Sequence, residues 1–208
     1  MPILPPGPGG QTPLSGHAGH PAPPYLAPTL PKKLEARLAA VKLMIFDIDG
    51  VLTDGGLYYG PDGEAIKRFN VLDGLGIKFL QQFGIQTAII SARQSSITAR
   101  RAQDLGIVHV FQGSHDKQAA LNQLMQQTGL GLYQLGYLGD DVIDLPLLRQ
   151  VGFAATVPNC HPEVLAHVHY QTQAWGGHGA GREICDMLLR AHGHYKAALA
   201  SFNGSGTL

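Results

Sequence analysis

Two aspartates in the first quarter of the chain follow directly on a short apolar run. Residues 43–46 (LMIF) lead into Asp47, and Asp49 comes two positions later, before a glycine. The run predicts a buried strand that ends at the first aspartate, and the glycine predicts a tight turn after the second. Carboxylates this close together are costly unless a cation shares their charge. The pair therefore predicts a divalent-cation site in which one carboxylate could attack phosphorus and the other could move a proton.

Further polar side chains follow other predicted strands. Ser91 and Arg93 come after the second main strand, Lys117 begins the helix after the third, and Asp140 and Asp141 come after the fourth. Because the carboxyl ends of parallel strands share one edge of a sheet, these groups are expected to lie close together. Carboxylates, a hydroxyl and two cations suit a bound divalent cation and a phosphoryl group.

The elements that must position these residues alternate along the chain. Apolar runs predict strands, and segments with helical spacing that end at glycine predict helices. The pattern indicates an α/β fold with a Rossmann-like, doubly wound, mostly parallel sheet. Only a small β-hairpin and one helix fit between the first two main strands, so the fold is predicted to be capless. The main strands are expected at 43–46, 85–90, 107–111, 134–138, 153–157 and 169–172, and the helices at 75–83, 95–105, 115–128, 143–151, 162–167 and 180–191.

Length and composition favour one globular domain in this 208-residue chain. Residues 1–31 are rich in proline and glycine and are expected to form a disordered leader. The globular domain is expected at 32–193, and residues 194–208 are expected to be a flexible tail. The formal net charge is zero, which predicts neither nucleic acid nor membrane as a partner. Two cysteines without CxxC spacing, and no signal-peptide pattern, favour a cytoplasmic protein.

The order of the motifs carries a family resemblance. FDIDGVLTDG, IISAR, an isolated lysine and GDDVIDLP together resemble the haloacid dehalogenase-like phosphatases. With IKRFNVLDGLGIK, NCHPEV and GGHGAGREICD, the stretch at about 42–193 looks like the 3-deoxy-D-manno-octulosonate 8-phosphate phosphatases. This resemblance implies Mg²⁺-dependent hydrolysis of that sugar phosphate to the free sugar acid and phosphate, through an aspartyl-phosphate, in lipopolysaccharide precursor synthesis. It also implies a homotetramer in which a neighbouring subunit closes the site through the hairpin and the segment 176–182.

The resemblance also implies a role for individual residues. Asp47 would be the nucleophile and Asp49 the acid/base. The metal ligands would be Asp47, Asp140 and Asp49, the last through its backbone carbonyl. Asp141 and Asp144 would lie just behind these ligands. Ser91 and Lys117 would bind phosphate. The remaining substrate contacts would come from Asn70, Val71, Leu72, Asp73, Gly74, Lys78, Arg93 and Arg101, together with Asp49 and Lys117.

Two departures from the family pattern leave the substrate open. Leu72 stands where arginine is common, and His178 stands where a basic arginine is common in the glycine-rich segment. A nonulosonate phosphate or another small sugar phosphate is therefore an alternative substrate. An alternative of another class is a phospho-receiver signalling domain, which also uses a strand-end aspartate, an acidic pair and a lysine. Receivers place the acidic pair first, whereas this chain places it last.

Overall fold

A six-stranded parallel sheet forms the centre of the computed structural model, which describes residues 30–201. Its order is β5-β4-β1-β6-β7-β8, with β1 in the middle. This arrangement confirms the predicted α/β class with a mostly parallel sheet. The strands are β1 (Leu43–Phe46), β4 (Gln86–Ile90), β5 (His109–Phe111), β6 (Leu135–Leu138), β7 (Phe153–Thr156) and β8 (Tyr170–Gln171), and a separate antiparallel hairpin is formed by β2 (Tyr58–Gly60) and β3 (Gly63–Ile66).

The central strands are apolar because helices cover both faces of the sheet. All four residues of β1 are buried, as expected for a parallel strand with two covered faces. Phe46, the last residue of β1, pairs with Ile89 of β4 and with Leu138 of β6. This register brings the carboxyl ends of the three strands to one level, so the residues that follow them emerge side by side.

The helices occupy most of the predicted positions. They are α1 (Lys32–Ala40), α2 (Val71–Gln82), α3 (Ser96–Leu105), α4 (Lys117–Thr128), α5 (Leu145–Leu148), α6 (Ala180–Ala191) and α7 (Tyr195–Ala200). Local capping sets their limits: the Ser95 side chain accepts from the Thr98 N–H at the start of α3, and Asp116 does the same for Ala119 in α4. Gly106 and Gly129 end these two helices in the left-handed conformation.

Several elements differ from the sequence-based expectation, among them the helix expected at 162–167, which is a 3₁₀ helix, Pro162–His167. Helix α2 begins at Val71 rather than at residue 75, because the Asn70 side chain accepts from the Leu72 N–H at 2.9 Å and caps it. The helix expected at 143–151 is a 3₁₀ turn, Val142–Asp144, followed by the single turn α5. Part of the expected flexible tail forms α7, whose Ala198 is buried.

Residues at both ends of the chain lie outside the described range. Residues 1–29 of the expected leader and residues 202–208 of the expected tail are outside the described residues. Between β1 and β4 the structure contains the hairpin and α2, as expected for a capless fold. Within residues 30–201, no helix combines the length and the apolar character that a membrane span requires.

Candidate active site

The strand-end residues converge on one small cavity at the carboxyl edge of the sheet. Its volume is about 150 Å³. The cavity brings together residues that follow β1, β4 and β6 and the first residue of α4, as the strand-end argument predicts. It is lined by Asp47, Asp49, Ser91, Ala92, Arg93, Lys117, Asp140, Asp141 and Ile143.

Lys117 lies at the bottom of this cavity and is only 2 % exposed. Its Nζ is 3.1 Å from Asp47 Oδ2 and 2.5 Å from Asp144 Oδ1. Burial lowers the pKa of Lys117, but the charges of Asp47 and Asp144 outweigh burial, and the pKa lies above its ordinary value. The lysine is therefore a fixed ammonium group beside the expected nucleophile.

Asp144 organises the loop after β6. This carboxylate has no exposed surface. Its Oδ2 accepts from the backbone N–H groups of Asp140 at 2.9 Å and Asp141 at 3.1 Å. Its Oδ1 accepts from the Tyr137 hydroxyl at 2.6 Å as well as from Lys117. Asp144 thus sets the position of Asp140, and its place behind the metal ligands stays a prediction.

A close approach between two loops completes the acidic side of the site. Gly50 has φ +86°, and a side-chain carbon built on it would overlap the Asp140 carboxylate. Only glycine satisfies both conditions without strain. The glycine of the DxDG motif therefore lets the loop after β1 meet the loop after β6, and so brings Asp140 toward Asp47.

The carboxylates fit a divalent cation. Asp47, Asp140 and Asp144 each offer an oxygen, and the three atoms lie within 4.8 Å of one another. Burial, and then the charge of Asp144, raise the pKa of Asp47 to about 7 against the opposing effect of Lys117. Burial, followed by the charges of Asp47 and Asp144, raises the pKa of Asp140 to about 8. A hard cation with oxygen ligands would relieve this repulsion. Since Asp144 already accepts from Lys117, Tyr137 and two N–H groups, Asp47 and Asp140 are the better ligands.

Asp141 faces a different environment from its neighbour. Its side chain is exposed and accepts from the Val142 N–H at 2.7 Å, which caps the 3₁₀ turn. It lines the mouth of the cavity, but it lies outside the three-carboxylate group. Asp140 thus belongs to the three-carboxylate group, whereas its neighbour Asp141 caps the 3₁₀ turn.

Asp49 is held from the hairpin side of the site. The Lys67 ammonium, itself buried, forms an ion pair with Asp49 Oδ1. Glu64 Oε1 lies 3.1 Å from the Lys67 ammonium and 3.5 Å from Arg93 Nη2. Arg93 Nε also lies 3.7 Å from Asp49 Oδ2. Sequence reasoning did not single out Lys67 or Glu64, since both lie in a polar hairpin where solvated charges are the usual finding.

Ser91 is buried where the chain leaves β4. Its N–H donates to the Phe111 carbonyl at 2.9 Å, and its hydroxyl accepts from the Arg93 N–H at 3.3 Å. These bonds fix the backbone while the side chain lines the cavity. The geometry is suitable for a phosphate contact.

The other expected substrate contacts are spread along α2 and α3. Val71, Leu72 and Lys78 are exposed on α2. Arg101 on α3 packs over the Phe69 ring and lies next to Gly74, where a side-chain carbon would meet its guanidinium. The structure does not bring these residues into the small cavity with the aspartates, and their substrate role stays a prediction.

Asp73 takes a position that the sequence did not suggest. It is 3 % exposed, and its carboxylate accepts from the Arg182 N–H at 2.8 Å at the start of α6. Burial raises its pKa to about 6, against the backbone N–H groups that favour the charged form. The contact observed for Asp73 is therefore with the first turn of α6 rather than with solvent.

The glycine-rich segment before α6 packs on the loop that follows β1 in its own chain. The Gly177 N–H donates to the Val51 carbonyl at 2.9 Å, and a side-chain carbon at Gly176 would overlap the Gly50 carbonyl. Asn159 bridges the two segments by donating to the Gly50 carbonyl and accepting from the Gly176 N–H. His178, at the end of this segment, lies 3.1 Å from Arg68 at the base of the hairpin. These contacts lock the turn that follows Asp49.

The fold and this site together define a haloacid dehalogenase-like hydrolase, and the family model with that description matches residues 86–184. A 3-deoxy-D-manno-octulosonate 8-phosphate phosphatase from Yersinia pestis is 43% identical over 162 residues, which cover 78% of this chain and 87% of the relative. The chain belongs to the 3-deoxy-D-manno-octulosonate 8-phosphate phosphatase family. It is a phosphoric monoester hydrolase by family membership.

Two solved structures are closely similar. A probable YrbI family phosphatase from Pseudomonas syringae pv. phaseolica superposes with a TM-score of 0.82 at 48% identity, covering 84% of this chain and 99% of that one. A 3-deoxy-D-manno-octulosonate 8-phosphate phosphatase from Moraxella catarrhalis, in complex with magnesium ion, phosphate ion and a KDO molecule, has a TM-score of 0.80 at 40% identity. That match covers 82% of this chain and 98% of the Moraxella chain.

Proposed function

We propose that this protein is a Mg²⁺-dependent phosphatase that hydrolyses 3-deoxy-D-manno-octulosonate 8-phosphate to the free sugar acid and phosphate. The observation that carries the proposal is the convergence of Asp47, Lys117 and Asp140 at the carboxyl ends of β1 and β6. The relatives that share this fold over most of their length include enzymes named for that substrate. The pathway would be lipopolysaccharide precursor synthesis, and the location cytoplasmic.

The first chemical step forms an aspartyl-phosphate. A carboxylate oxygen of Asp47 attacks phosphorus, the bond between phosphorus and the sugar oxygen breaks, and Asp49 gives its proton to that oxygen. The ammonium of Lys117, 3.1 Å from Asp47 Oδ2, holds the nucleophile in place and offers positive charge to the phosphoryl oxygens. Ser91 offers a hydroxyl to the same oxygens.

The second step releases phosphate. Asp49, now ionised, takes a proton from water as the water oxygen attacks phosphorus, and the bond to Asp47 breaks. Contact with the Lys67 ammonium holds the Asp49 side chain in place, and it becomes an ion pair when Asp49 is ionised in this step. Asp47, Asp140 and the Asp49 backbone carbonyl would hold Mg²⁺. When bound, the ion supplies positive charge that offsets the two carboxylates and the phosphoryl group.

The surface around the site suits closure by a second copy of the chain. Large apolar side chains are exposed on the hairpin and on the first turn of α2: Leu57, Tyr58, Tyr59, Ile66, Val71 and Leu72. Exposed large apolar side chains in this number on two segments favour a protein–protein interface. We infer a homotetramer in which a neighbouring subunit covers the mouth of the site and adds substrate contacts.

A panel of sugar phosphates tests the substrate. Phosphate release would be measured for 3-deoxy-D-manno-octulosonate 8-phosphate, a nonulosonate 9-phosphate and simple hexose phosphates, each with and without Mg²⁺. The octulosonate phosphate is expected to give the largest kcat/KM and to require Mg²⁺. A larger value for the nonulosonate phosphate would assign the enzyme to the longer sugar acid, which the apolar, exposed Leu72 makes the best-supported alternative.

The adjacent aspartates provide a matched test of the metal site. Mg²⁺ is expected to raise the melting temperature of the wild type and of Asp141→Asn, and to leave that of Asp140→Asn unchanged, because a ligand that binds only the folded state stabilises it. Thermal unfolding with and without Mg²⁺ gives the answer without any activity measurement. An equal Mg²⁺ effect on both variants would remove Asp140 from the ligand set.

A further inference from the structure

One short loop after β7 holds both segments that carry the expected metal ligands. The loop, residues 159–161, lies between β7 and the following 3₁₀ helix. The Asn159 side chain donates to the Gly50 carbonyl at 3.0 Å, and the His161 N–H donates to the Asp140 carbonyl at 2.7 Å. The first of these carbonyls belongs to the turn after β1 and the second to the turn after β6. The loop therefore connects two turns that are remote from each other in the sequence.

The two turns meet where Gly50 contacts Asp140. A side-chain carbon built on Gly50 would overlap Asp140 Oδ2, so the backbone of one turn touches the carboxylate of the other. Both backbone polar groups of Asp140 are occupied, because its N–H donates to Asp144 at 2.9 Å and its carbonyl accepts from His161. The backbone that carries this carboxylate therefore has little freedom to move away from Gly50.

Gly50 is held in the same way on the other side of the contact. Its N–H donates to Thr53 Oγ1 at 3.3 Å, and its carbonyl accepts from Asn159. This N–H belongs to the same planar peptide group as the Asp49 carbonyl, which is the expected backbone ligand of the metal. The bonds on Gly50 therefore limit the direction of that carbonyl as well.

A second hydrogen bond keeps the Asn159 side chain in this position. Its Oδ1 accepts from the Gly176 N–H at 2.9 Å while its Nδ2 donates to Gly50. One end of the amide thus meets a donor and the other end meets an acceptor, an arrangement that an alkyl side chain cannot provide.

Charge explains why the spacing of the two turns needs such support. Oxygen atoms of Asp47 and Asp140 lie within 4.8 Å of one another, and two ionised carboxylates this close repel. Without an ion, the repulsion pushes the turn after β6 away from the turn after β1. Mg²⁺ requires oxygen ligands at about 2.0–2.1 Å in nearly octahedral geometry, whereas Ca²⁺ accepts longer and more variable distances. A loop that limits the separation therefore favours the smaller ion.

We propose that Asn159 is a positioning residue that, together with the His161 N–H, sets the distance between the two turns and so fits the site to an ion of the size of Mg²⁺. The proposal rests on the proposed function, since it takes the metal ligands to be those given there. Asn159 would touch neither the ion nor the substrate and would act through Gly50.

Asn159→Ala tests the side-chain contact. Isothermal titration calorimetry with Mg²⁺ alone should give an affinity about 10- to 100-fold below that of the wild type, the usual effect of losing a group that orients metal ligands. The affinity for Ca²⁺ should fall by a smaller factor, because that ion tolerates a wider site. An unchanged Mg²⁺ affinity, or an equal fractional loss for the two ions, would overturn the proposal.

Arg37→Met is the matched control for a general loss of stability. Arg37 Nη1 also donates to a backbone carbonyl that is remote in sequence, that of Gly152 at 2.7 Å, just before β7 and so at the opposite edge of the sheet from the site. Its affinities for both ions should equal those of the wild type, whatever the change in melting temperature. A loss of Mg²⁺ affinity as large as that of Asn159→Ala would show that lost stability causes both effects, and the proposal would fail.

A pair of substitutions at His161 provides a second test that does not depend on the folding of the Asn159 variant. His161 has φ −63°, a value that proline shares, so His161→Pro removes the N–H that meets Asp140 with little change in this dihedral angle. His161→Ala removes the side chain and keeps the N–H. Mg²⁺ affinity should fall for His161→Pro and stay at the wild-type value for His161→Ala. Equal affinities for these two variants would contradict the role of the loop.

The wild type separates this proposal from the proposed function. A wild-type protein that binds Mg²⁺ but hydrolyses no sugar phosphate would count against the proposed function, while the ion affinities of the variants would still decide the role of Asn159. A wild-type protein that binds no Mg²⁺ would overturn both.

Discussion

The site has two halves that differ in how the fold builds them. The inner half consists of Asp47, Lys117, Tyr137, Asp140 and Asp144, which come from β1, β6 and their following turns and from the start of α4. The outer half consists of Asp49, Glu64, Lys67 and Arg93, which join the hairpin to the ends of β1 and β4. The inner half is largely buried, whereas Asp49, Glu64 and Arg93 are partly open to solvent. Under the proposed mechanism, the nucleophile would therefore lie among buried groups at the sheet edge, whereas the acid/base Asp49, two residues later, would be held by the more exposed hairpin side.

The largest expected effect tests the inner half. Asp47→Asn should lower phosphate release by on the order of 10⁵-fold, because an amide is a far poorer nucleophile and loss of a covalent nucleophile has effects of that size. Burial raises the pKa of Asp47 from its ordinary 3.8 to about 7, so the metal-free protein loses stability as the pH rises between these values, and the full loss is present at pH 8. The variant should therefore melt slightly higher than the wild type at pH 8 without metal. Steady-state kinetics and thermal unfolding measure the two effects, and activity close to wild type would refute the nucleophile assignment.

Asp49→Asn tests the role of the central residue of the outer half. The expected loss in kcat is about 10²–10⁴-fold, the usual contribution of a general acid and base. Unlike Asp47→Asn, this variant keeps its nucleophile, and because Asp49 acts in both steps the aspartyl-phosphate should accumulate with p-nitrophenyl phosphate, whose leaving group needs no proton, so that only the second step is slow. Acid quenching followed by mass determination would detect the adduct. A rate unaffected by the substitution would mean that another group transfers the proton.

Lys67→Met tests whether the hairpin contributes to turnover in addition to covering the site. The substitution removes the buried cation paired with Asp49 and Glu64. A drop in kcat of about 10- to 100-fold is expected, as for loss of a hydrogen bond to a charged group. The adjacent Arg68→Met is the control, because Arg68 is exposed and pairs with Asp54 at 3.3 Å. Exposed pairs contribute little, so its effect should stay below about fivefold. Equal effects for both variants would deny Lys67 a specific role.

The two halves also differ in how far the sequence could predict them. Strand-end rules placed Asp47, Ser91 and Lys117 together because the order of apolar runs fixes which residues reach the carboxyl edge. Tyr137 escaped prediction because it lies inside the apolar strand LGYL, where an aromatic residue is typical of the core. The sequence did not predict a role for Lys67 because its ion pair with Asp49 forms only when the hairpin folds back over the turn after β1. No local sequence pattern indicates that arrangement.

Asp73 shows a further limit of the same kind. The family resemblance implied a substrate contact for Asp73, which stays a prediction, and the structure adds a contact with the N–H group of Arg182, 109 residues later. Packing of α2 against α6 creates this contact, and the spacing of residues along either helix does not reveal it. The early start of α2 has a local cause, the cap at Asn70, and the signal for it was present in the sequence.

Asp73 also gives the smallest expected effect, which concerns stability rather than catalysis. Its pKa in the folded protein is about 6, above the ordinary value of 3.8, chiefly because of burial. The folded state therefore holds this proton more tightly than the unfolded state between these two pH values. By linkage, the free energy of unfolding falls as the pH rises through this window, and the whole effect is about 3 kcal/mol at most.

Asp73→Asn should remove this part of the pH dependence. The difference in unfolding free energy, variant minus wild type, should grow more positive from pH 4 to pH 7, because only the wild type must bury an ionised carboxylate. Urea denaturation across that range measures the difference, and groups common to both proteins cancel in it. Asp104→Asn, on the exposed face of α3, serves as the control and should give a nearly constant difference. A constant difference for Asp73→Asn would mean that the N–H groups at the start of α6 stabilise the charged carboxylate as well as water does.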